Sequence, residues 1–169
     1  QHSTEFEAME LSDLIVFNSY LTQNNFNRIY FNFNEKFVNM PLELTNVCIN
    51  KNHIIPQDTI KEYDLIVVNS SYKRKIKNPE FLKKLFELPQ IAKLKKIIIG
   101  KFSSEIFNGY NNTTTIDLID NDTVYDYLSK SKILLVPSFL ESAGIIIEEA
   151  NYCKCSVLTT RNVGLSYRI

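Results

Sequence analysis

The amino-acid sequence predicts an α/β fold built on a doubly wound parallel sheet. From residue 63 onward, short apolar runs alternate with amphipathic segments, which is the pattern of strands and helices that alternate along such a sheet. The first of these runs, Tyr63–Asn69, is apolar on both faces, as expected for a strand that helices cover on both sides. The 169 residues, of which 44% are hydrophobic and 22% charged, suffice for one globular domain with a core.

The part of the chain before residue 63 carries weaker signals. Asp13–Asn18 is a short apolar run that predicts a buried strand, and Leu42–Ile49 predicts another. Between them, the Asn- and Phe-rich stretch from Gln23 to Asn39 has no clean period and is interpreted as irregular. Residues 1–8, which precede Met9, are interpreted as an artificial remnant and take no part in the fold prediction.

The clearest helix signal begins at Asn78. The sequence Asn-Pro-Glu offers a capping side chain, a proline at the first helical position and an acid in the first turn. The helix is predicted to end at Pro89. Its apolar residues are expected to share one side: Phe81, Leu82, Leu85 and Phe86.

Two further helices and four further strands follow along the chain. One helix is predicted to be capped by Asn121 or Asp122, and the other to run from Gly144 to about Lys154. The inner face of the first of these is expected to consist of Val124, Tyr127 and Leu128, and that of the second of Ile146, Ala150 and Cys153. The strands are predicted at Lys95–Gly100, Thr115–Leu118, Ile133–Val136 and Ser156–Thr160.

Composition excludes several classes of function. Basic and acidic residues number 19 each, so overall charge gives no argument for nucleic acid or a membrane surface as partner. No segment approaches the ~18 consecutive apolar residues of a membrane span. The three cysteines, Cys48, Cys153 and Cys155, form neither a disulfide framework nor a zinc site, which favours a reducing, cytoplasmic setting.

Two glutamates eight residues apart carry the strongest functional signal, within VPSFLESAGIIIEEANYCKCSV at 136–157. Glu141 lies in the loop after a predicted strand. Gly144 lets the backbone approach a ligand where the next helix opens, and free N–H groups there favour an anion such as phosphate. Glu149 lies inside that helix, so two carboxylates can flank one ligand, and carboxylates accept hydrogen bonds from sugar hydroxyls.

This stretch resembles the retaining family-4 glycosyltransferases, whose nucleotide-sugar domain is Rossmann-like and forms half of a GT-B fold. Glu141 and Glu149 match the E-x7-E pattern of that family, and the preceding Pro-Ser, the Gly three residues after the first Glu and the Glu-Ala pair fit as well. The resemblance implies that Glu141 contacts the donor sugar and Glu149 the ribose. It also places the backbone around Ala143 and Gly144 against the diphosphate, with Ser142 as a further substrate-binding residue.

A basic loop, Tyr72–Lys77, follows the first strand of the predicted sheet, within the sequence NSSYKRKIKN at 69–78. Cations at the carboxyl end of a strand suit a diphosphate. In the family, an Arg and a Lys at this place neutralise the leaving nucleoside diphosphate, and the resemblance assigns these roles to Arg74 and Lys77. Together with Glu141 they are the expected catalytic residues. Fixed cations stabilise charge that develops on a departing oxygen, so neither a metal ion nor another cofactor is expected.

The resemblance is good over residues 62–169, which are predicted to form a nucleotide-sugar-binding domain that is incomplete at its C-terminus. Residues 9–61 are predicted to be the end of an acceptor-side region and a linker. The implied activity is retaining, hexosyl-type transfer from a nucleotide-diphosphate sugar to an unknown acceptor. The fragment alone is expected to be inactive, because the N-terminal acceptor domain is missing.

Alternatives remain at this stage. Lys154 and Ser156 stand where the family often has Gly and Pro, which favours a non-catalytic Rossmann-like module that binds a nucleotide or a protein. Taken singly, the two glutamates could be an ordinary loop carboxylate and a solvated helix residue, and the basic loop a solvated turn or a nucleic-acid patch. Convergence of the acidic and basic residues on one site would favour the transferase.

Overall fold

The computed structural model describes residues 11–30, 42–44, 49, 59–166 and 169. The chain divides into two compact units, residues 1–48 and 49–169. In the first unit, strands β1 (Ile15–Phe17) and β2 (Leu42–Leu44) pair in parallel, and helix α1 (Tyr20–Tyr30) lies between them in the chain. The strand predicted at Asp13–Asn18 is therefore present but shorter.

Helix α1 corrects the prediction that the chain is irregular from Gln23 onward. Over residues 23–30 that prediction is wrong, and residues 31–39 lie outside the described part of the chain. The helix begins after Ser19, whose Oγ accepts a hydrogen bond from the Thr22 amide at 3.3 Å, as a capping residue does. Phe26 is buried and packs on Phe17 with ring centroids 5.2 Å apart. Tertiary packing of one aromatic residue thus outweighs an unfavourable Asn-rich composition.

The second unit contains a five-stranded sheet in the order β5-β4-β3-β6-β7, in which all neighbours are parallel. The predicted α/β fold with a parallel sheet is therefore confirmed. The strands are β3 (Tyr63–Ser71), β4 (Lys96–Lys101), β5 (Thr113–Ile116), β6 (Ser131–Val136) and β7 (Ser156–Thr159). The helices are α2 (Pro79–Glu87), α3 (Pro89–Ala92), α4 (Ser103–Phe107), α5 (Asn121–Ser129) and α6 (Ile146–Tyr152), with a 3-10 turn at Lys75–Lys77.

The strand order contains one switch point, between β3 and β6. From β3 the chain proceeds outward to β4 and β5, and then returns to build β6 and β7 on the other side of β3. In open parallel sheets, ligands bind at such a point, beyond the carboxyl ends of the strands. The fold therefore directs attention to the loops after β3 and β6.

An aromatic core fixes the loop after β3. Tyr72 is wholly buried, and its hydroxyl lies 3.1 Å from the Val67 carbonyl oxygen and 3.3 Å from that of Ile99. Its ring meets Phe107 of α4 edge to face, with centroids 5.0 Å apart. The first residue of the basic loop is thus anchored in the core. Phe81 does not share the buried side of α2 with Leu82 and Phe86, because it is 44% exposed.

The caps of two helices differ in detail from the prediction. Asn78 occupies the predicted cap position of α2, but its side chain makes no capping hydrogen bond; the residue has a left-handed backbone, φ 58°, and its side-chain amide donates to the Pro137 carbonyl instead. Helix α5 is capped by Asp120, whose carboxylate accepts from the Thr123 amide at 2.8 Å. Of three adjacent polar residues, sequence alone does not tell which one adopts the extended capping conformation.

Lys96 is a buried lysine in β4 whose ammonium binds backbone carbonyls at the end of α3. Its ammonium donates to three backbone carbonyls, those of Ile91 at 3.0 Å, Ala92 at 3.3 Å and Leu94 at 2.7 Å. Only 1% of the residue is exposed, and burial lowers the pKa of its ammonium. The Ile91 carbonyl also accepts from the Leu94 amide, and the Ala92 carbonyl from the Asn112 side chain. Lys96 is therefore an additional donor for these two carbonyls and the one donor to the Leu94 carbonyl among the described residues.

We expect Lys96→Met to lower the free energy of unfolding by about 2 kcal/mol, because it removes three hydrogen bonds and leaves the Leu94 carbonyl oxygen without a donor. Urea denaturation followed by circular dichroism measures this. Lys93→Met is the matched control, since Lys93 is exposed and a surface change of this kind is worth about 0.5 kcal/mol or less. Equal effects of the two substitutions would show that the carbonyl contacts of Lys96 contribute no stability.

Candidate functional site

The candidate site lies where the carboxyl ends of β3 and β6 meet. These two strands are neighbours, with Leu65 opposite Ile133 and Ile66 opposite Leu134. The basic loop (Tyr72–Lys77) follows β3, and a second loop, here called the acidic loop (Ser138–Gly144), follows β6. Since parallel strands end at the same edge of a sheet, the topology brings the two loops side by side.

Lys77 and Glu141 form an ion pair across these loops. The Lys77 ammonium donates to Oε2 of Glu141, and the Ser138 hydroxyl lies 3.4 Å from the same oxygen. The Lys77 side chain is 10% exposed and that of Glu141 24%. The structure thus brings together two of the three expected catalytic residues, and their charges interact in a partly desolvated place, where electrostatic effects are stronger than in water.

Two hydrogen bonds hold the end of the basic loop against the acidic loop. The Asn78 side-chain amide donates to the Pro137 carbonyl at 3.2 Å, and the Phe139 amide donates to the Ile76 carbonyl at 2.8 Å. These bonds flank Lys77 on both sides in the chain. The left-handed conformation of Asn78, which Asn tolerates better than most residues, turns the chain from the 3-10 turn into α2.

The segment after β7 holds Glu141 from the other side. The Glu141 amide donates to the Asn162 carbonyl at 3.0 Å, and the Glu141 carbonyl accepts from the Gly164 amide at 2.9 Å. The Thr160 hydroxyl donates to the Ser138 carbonyl at 2.7 Å. These hydrogen bonds fix the backbone of the acidic loop. The Glu141 carboxylate is therefore carried by a main chain that is held in place.

Gly144 allows the acidic loop to pass close to Val163, in the segment after β7. Its φ is +79°, and an added Cβ would lie 2.5 Å from a Val163 methyl carbon and 3.6 Å from the Glu141 Cγ. Within the described residues, the backbone amides of Ala143, Gly144 and Ile145 donate no hydrogen bond. Free amides next to a helix start can bind an anion, so this turn provides donors close to the ion pair. Ser142 lies in the same turn and is exposed.

Glu149 lies on α6 and is half-buried. Burial raises the pKa of its carboxyl above the usual range, and a hydrogen-bonding contribution from the Tyr125 side chain acts in the opposite direction. Arg74, in contrast, is exposed and precedes the 3-10 turn with an extended backbone. The structure therefore places Lys77 and Glu141 in direct contact, and Arg74 outside that contact.

A cavity of about 250 Å³ beyond β3, β4 and β5 was not anticipated. Asn69 and Gly100 lie in its wall, together with residues that follow β5, among them Asp117 and Leu118. Asn69 is 8% exposed, and its Nδ2 forms no close hydrogen bond among the described residues, although its side chain partly offsets the burial that raises the pKa of Tyr72. An unsatisfied buried donor at a sheet edge is a potential ligand contact. Asn69, which ends the strand predicted from the sequence, and Gly100, which ends the KIIIG run, were the available sequence signals.

Three further properties concern metal-ligand clusters, thiols and helix length. No group of three or more His, Cys, Asp or Glu residues suited to a metal ion occurs in the described ranges. Burial raises the pKa of Cys153 to about 12 and that of Cys155 to about 11, so both are unreactive thiols near neutral pH. Among the helices that the structure describes, none has the length and apolar character to cross a membrane.

The raised pKa of Glu149 predicts a pH-dependent stability. In the window between the unfolded value of about 4.3 and the higher folded value, the folded state holds the extra proton, so the free energy of unfolding falls as pH rises. We expect Glu149→Gln to raise the melting temperature at neutral pH and to leave it unchanged below the unfolded pKa. Thermal denaturation at two pH values tests this. Glu148→Gln on the same helix is the control, and equal increases in both variants would instead indicate an effect of overall charge.

Comparisons with known proteins support a sugar-transferring family. Residues 50–168 match the family model described as Glycosyl transferases group 1. No curated protein sequence matches the chain significantly.

Several solved structures share the fold. Sucrose-phosphate synthase from Thermosynechococcus elongatus superposes with a TM-score of 0.73 at 16% identity, over 96% of this chain and 44% of that one. WaaG, a glycosyltransferase involved in lipopolysaccharide biosynthesis, gives 0.68 at 18% identity, over 97% and 50%. The trehalose-6-phosphate synthase OtsA gives 0.70 at 11% identity, over 98% and 49%. The present chain thus spans about half the length of these structures, and the predicted Rossmann-like fold of the GT-B type is confirmed.

Proposed function

Since the chain belongs to the group 1 glycosyl transferases, we propose that it supplies the donor half of a retaining, family-4-like enzyme. The donor is a nucleotide-diphosphate sugar, and a hexosyl group passes to an acceptor held by a further domain. The observation that carries this proposal is the Lys77–Glu141 ion pair at the switch point of the sheet. It combines a fixed cation and a carboxylate next to unbonded backbone amides.

Lys77 provides the charge that the leaving group requires. When the glycosidic bond to the diphosphate breaks, negative charge grows on the departing phosphate oxygen. A cation that is already fixed and largely desolvated stabilises that charge without reorganisation. The amides of Ala143, Gly144 and Ile145 add neutral donors to the same phosphate oxygens. Arg74, which is exposed and lies outside the ion pair, is a second cation for the diphosphate in this proposal.

The carboxylates bind hydroxyl groups in this proposal. Glu141 accepts hydrogen bonds from the donor sugar, and Glu149 from the ribose, since ionised carboxylates are strong acceptors. The nucleoside end of the donor occupies the cavity beyond β3–β5, where the unpaired Asn69 amide offers a donor to a base or ribose oxygen. No metal ion is needed, because protein cations and amides neutralise the diphosphate.

Binding of nucleotides to the chain tests the proposal. Calorimetric titration with UDP, GDP and UDP-sugars is expected to detect one preferred base, and Lys77→Met to weaken its binding by about tenfold or more. Glu149→Ala is expected to weaken it as well. Lys84→Met is the control, because Lys84 is an exposed lysine on α2. If Lys77→Met binds the nucleotide as well as Lys84→Met does, Lys77 does not contact the diphosphate.

A non-catalytic module is the second candidate. The ion pair engages Lys77 and Glu141 with each other, as in a protein that keeps both residues for structure. Such a module would bind a nucleotide or a protein but transfer no sugar, both in the present chain and when joined to an acceptor domain. Sugar transfer by the joined protein, lost on Glu141→Gln, would exclude it.

A further inference from the structure

A second cavity, of about 600 Å³, lies beside the candidate site. Its wall combines residues of the basic loop, the first turn of α2, the first turn of α4 and the acidic loop. They include Tyr72, Lys75, Asn78, Lys83, Glu105 and Phe139. The volume is that of a typical small-molecule pocket. Neither Glu141 nor Glu149 lines it, so this cavity is separate from the contacts assigned to the sugar donor.

Phe139 gives the cavity an exposed aromatic surface. The residue is 60% exposed, although its backbone is fixed by the hydrogen bond to Ile76. The neighbouring apolar wall is formed by Pro79 and Ile106. An exposed aromatic ring on a fixed main chain offers a flat apolar face, and only its two side-chain torsions have to be ordered on binding. The C–H face of a sugar ring is a suitable partner for such a surface.

The charged residues of the cavity are mostly paired. Lys73 lies 3.0 Å from Glu105, and Lys83 lies 2.9 Å from Glu80. With Lys75, three lysines and two glutamates line the cavity, which leaves a formal charge of +1. This balance does not favour a polyanion. Each ammonium has three donors and each carboxylate several acceptor sites, so the pairs retain free donors and acceptors, which match the hydroxyl groups of a polyol.

We propose that this cavity binds a neutral carbohydrate, namely a ring of a glycan acceptor remote from the hydroxyl that receives the transferred sugar. The inference rests on the proposed transferase function and adds an acceptor subsite to it. Phe139 lies two positions before Glu141 in the chain, and Lys75 two positions before Lys77. The two loops that hold the ion pair therefore also form walls of the cavity. A glycan on Phe139 lies next to the donor site without occupying it.

Saturation-transfer NMR with maltose, lactose and chitobiose at millimolar concentrations tests the proposal. At least one of these sugars is expected to receive saturation. Phe139→Ala is expected to weaken its binding by about tenfold, and Glu80→Gln to weaken it to a smaller extent. Leu140→Ala is the matched control, because Leu140 is the adjacent exposed apolar residue but does not line the cavity. Circular dichroism establishes that each variant is folded.

Three outcomes overturn the proposal. The first is that the folded chain binds none of the three sugars. The second is that Phe139→Ala and Leu140→Ala bind equally well. The third is that only a sugar phosphate, such as glucose 6-phosphate, binds, which would make the cavity an anion site. Parallel titration with UDP keeps this test separate from the donor proposal. Sugar binding without UDP binding supports the cavity alone, and UDP binding without sugar binding supports the donor site alone.

Discussion

Gly100→Ala is expected to lower the free energy of unfolding by about 3 kcal/mol or more, or to prevent folding. A Cβ at residue 100 would lie 1.8 Å from the carbonyl oxygen of Asn69, in the neighbouring central strand. The oxygen belongs to the backbone of β3 and not to the end of a flexible side chain, so it cannot move aside cheaply. The φ of Gly100 is +138°, which adds strain for any residue with a side chain.

Gly109→Ala is the control that separates the effect of the steric clash on stability from the effect of backbone strain. Gly109 also has a positive φ, +102°, but an added Cβ there would meet no atom within 4 Å. Urea denaturation of both variants should therefore show a much larger loss for Gly100→Ala. Equal losses would mean that the close approach of β3 and β4 relaxes without cost. The register shift between Val68 and Ser71 lies at this same contact, so the glycine shapes the sheet edge where Asn69 faces the cavity.

The second large effect concerns the ion pair. We expect Glu141→Gln to lower the free energy of unfolding by about 2 kcal/mol, because it leaves the nearly buried Lys77 ammonium without a counter-charge. Lys77→Met should cost less, since the remaining carboxylate is more exposed. The double substitution should recover part of the loss. A double-mutant cycle from urea denaturation measures the coupling between the two residues, and strictly additive losses would show that there is none.

The same two variants should change nucleotide binding in opposite directions. Lys77→Met removes the cation proposed for the diphosphate. Glu141→Gln frees that cation from its partner, so UDP without a sugar should bind more tightly, by about tenfold. Titration with UDP and with a UDP-sugar distinguishes the roles, because only the sugar requires the Glu141 carboxylate. If Glu141→Gln weakens UDP binding as much as Lys77→Met does, the ion pair is needed to shape the site and does not compete with the diphosphate.

The sequence predicted the sheet well where hydrophobic patterning is strong. Leu65–Val67 and Leu134–Val136 are buried on both faces, and short apolar runs of this kind, bounded by turn residues, are typical of buried strands. Helix α1 was missed, because its burial depends on the contact of Phe26 with Phe17 and its Asn-rich sequence gives a weak helical signal. The domain boundaries at residues 8 and 61 stay a prediction.

For the site, spacing identified Glu141, but not what it contacts. Its partner Lys77 is 64 residues earlier in the chain, and only the order of strands brings the two together. The left-handed Asn78 and its bond to Pro137 connect segments of different strands, and local sequence carries no signal for such a contact. For the same reason, the close approach of Gly100 to Asn69 was not predictable. The roles assigned to Arg74, Ser142 and Glu149 stay predictions.

The strand order also determines when the sheet can assemble. Asp64 of β3 pairs with Lys132 of β6 across 68 residues, whereas the pairing of β3 with β4 spans a much shorter segment. Contacts that close long loops form slowly. During synthesis, β3, α2 and β4 can therefore fold early, while the edge of β3 that β6 later covers stays open. An unpaired apolar strand edge can pair with other chains, so aggregation is most favoured in the interval before residues 131–136 emerge from the ribosome.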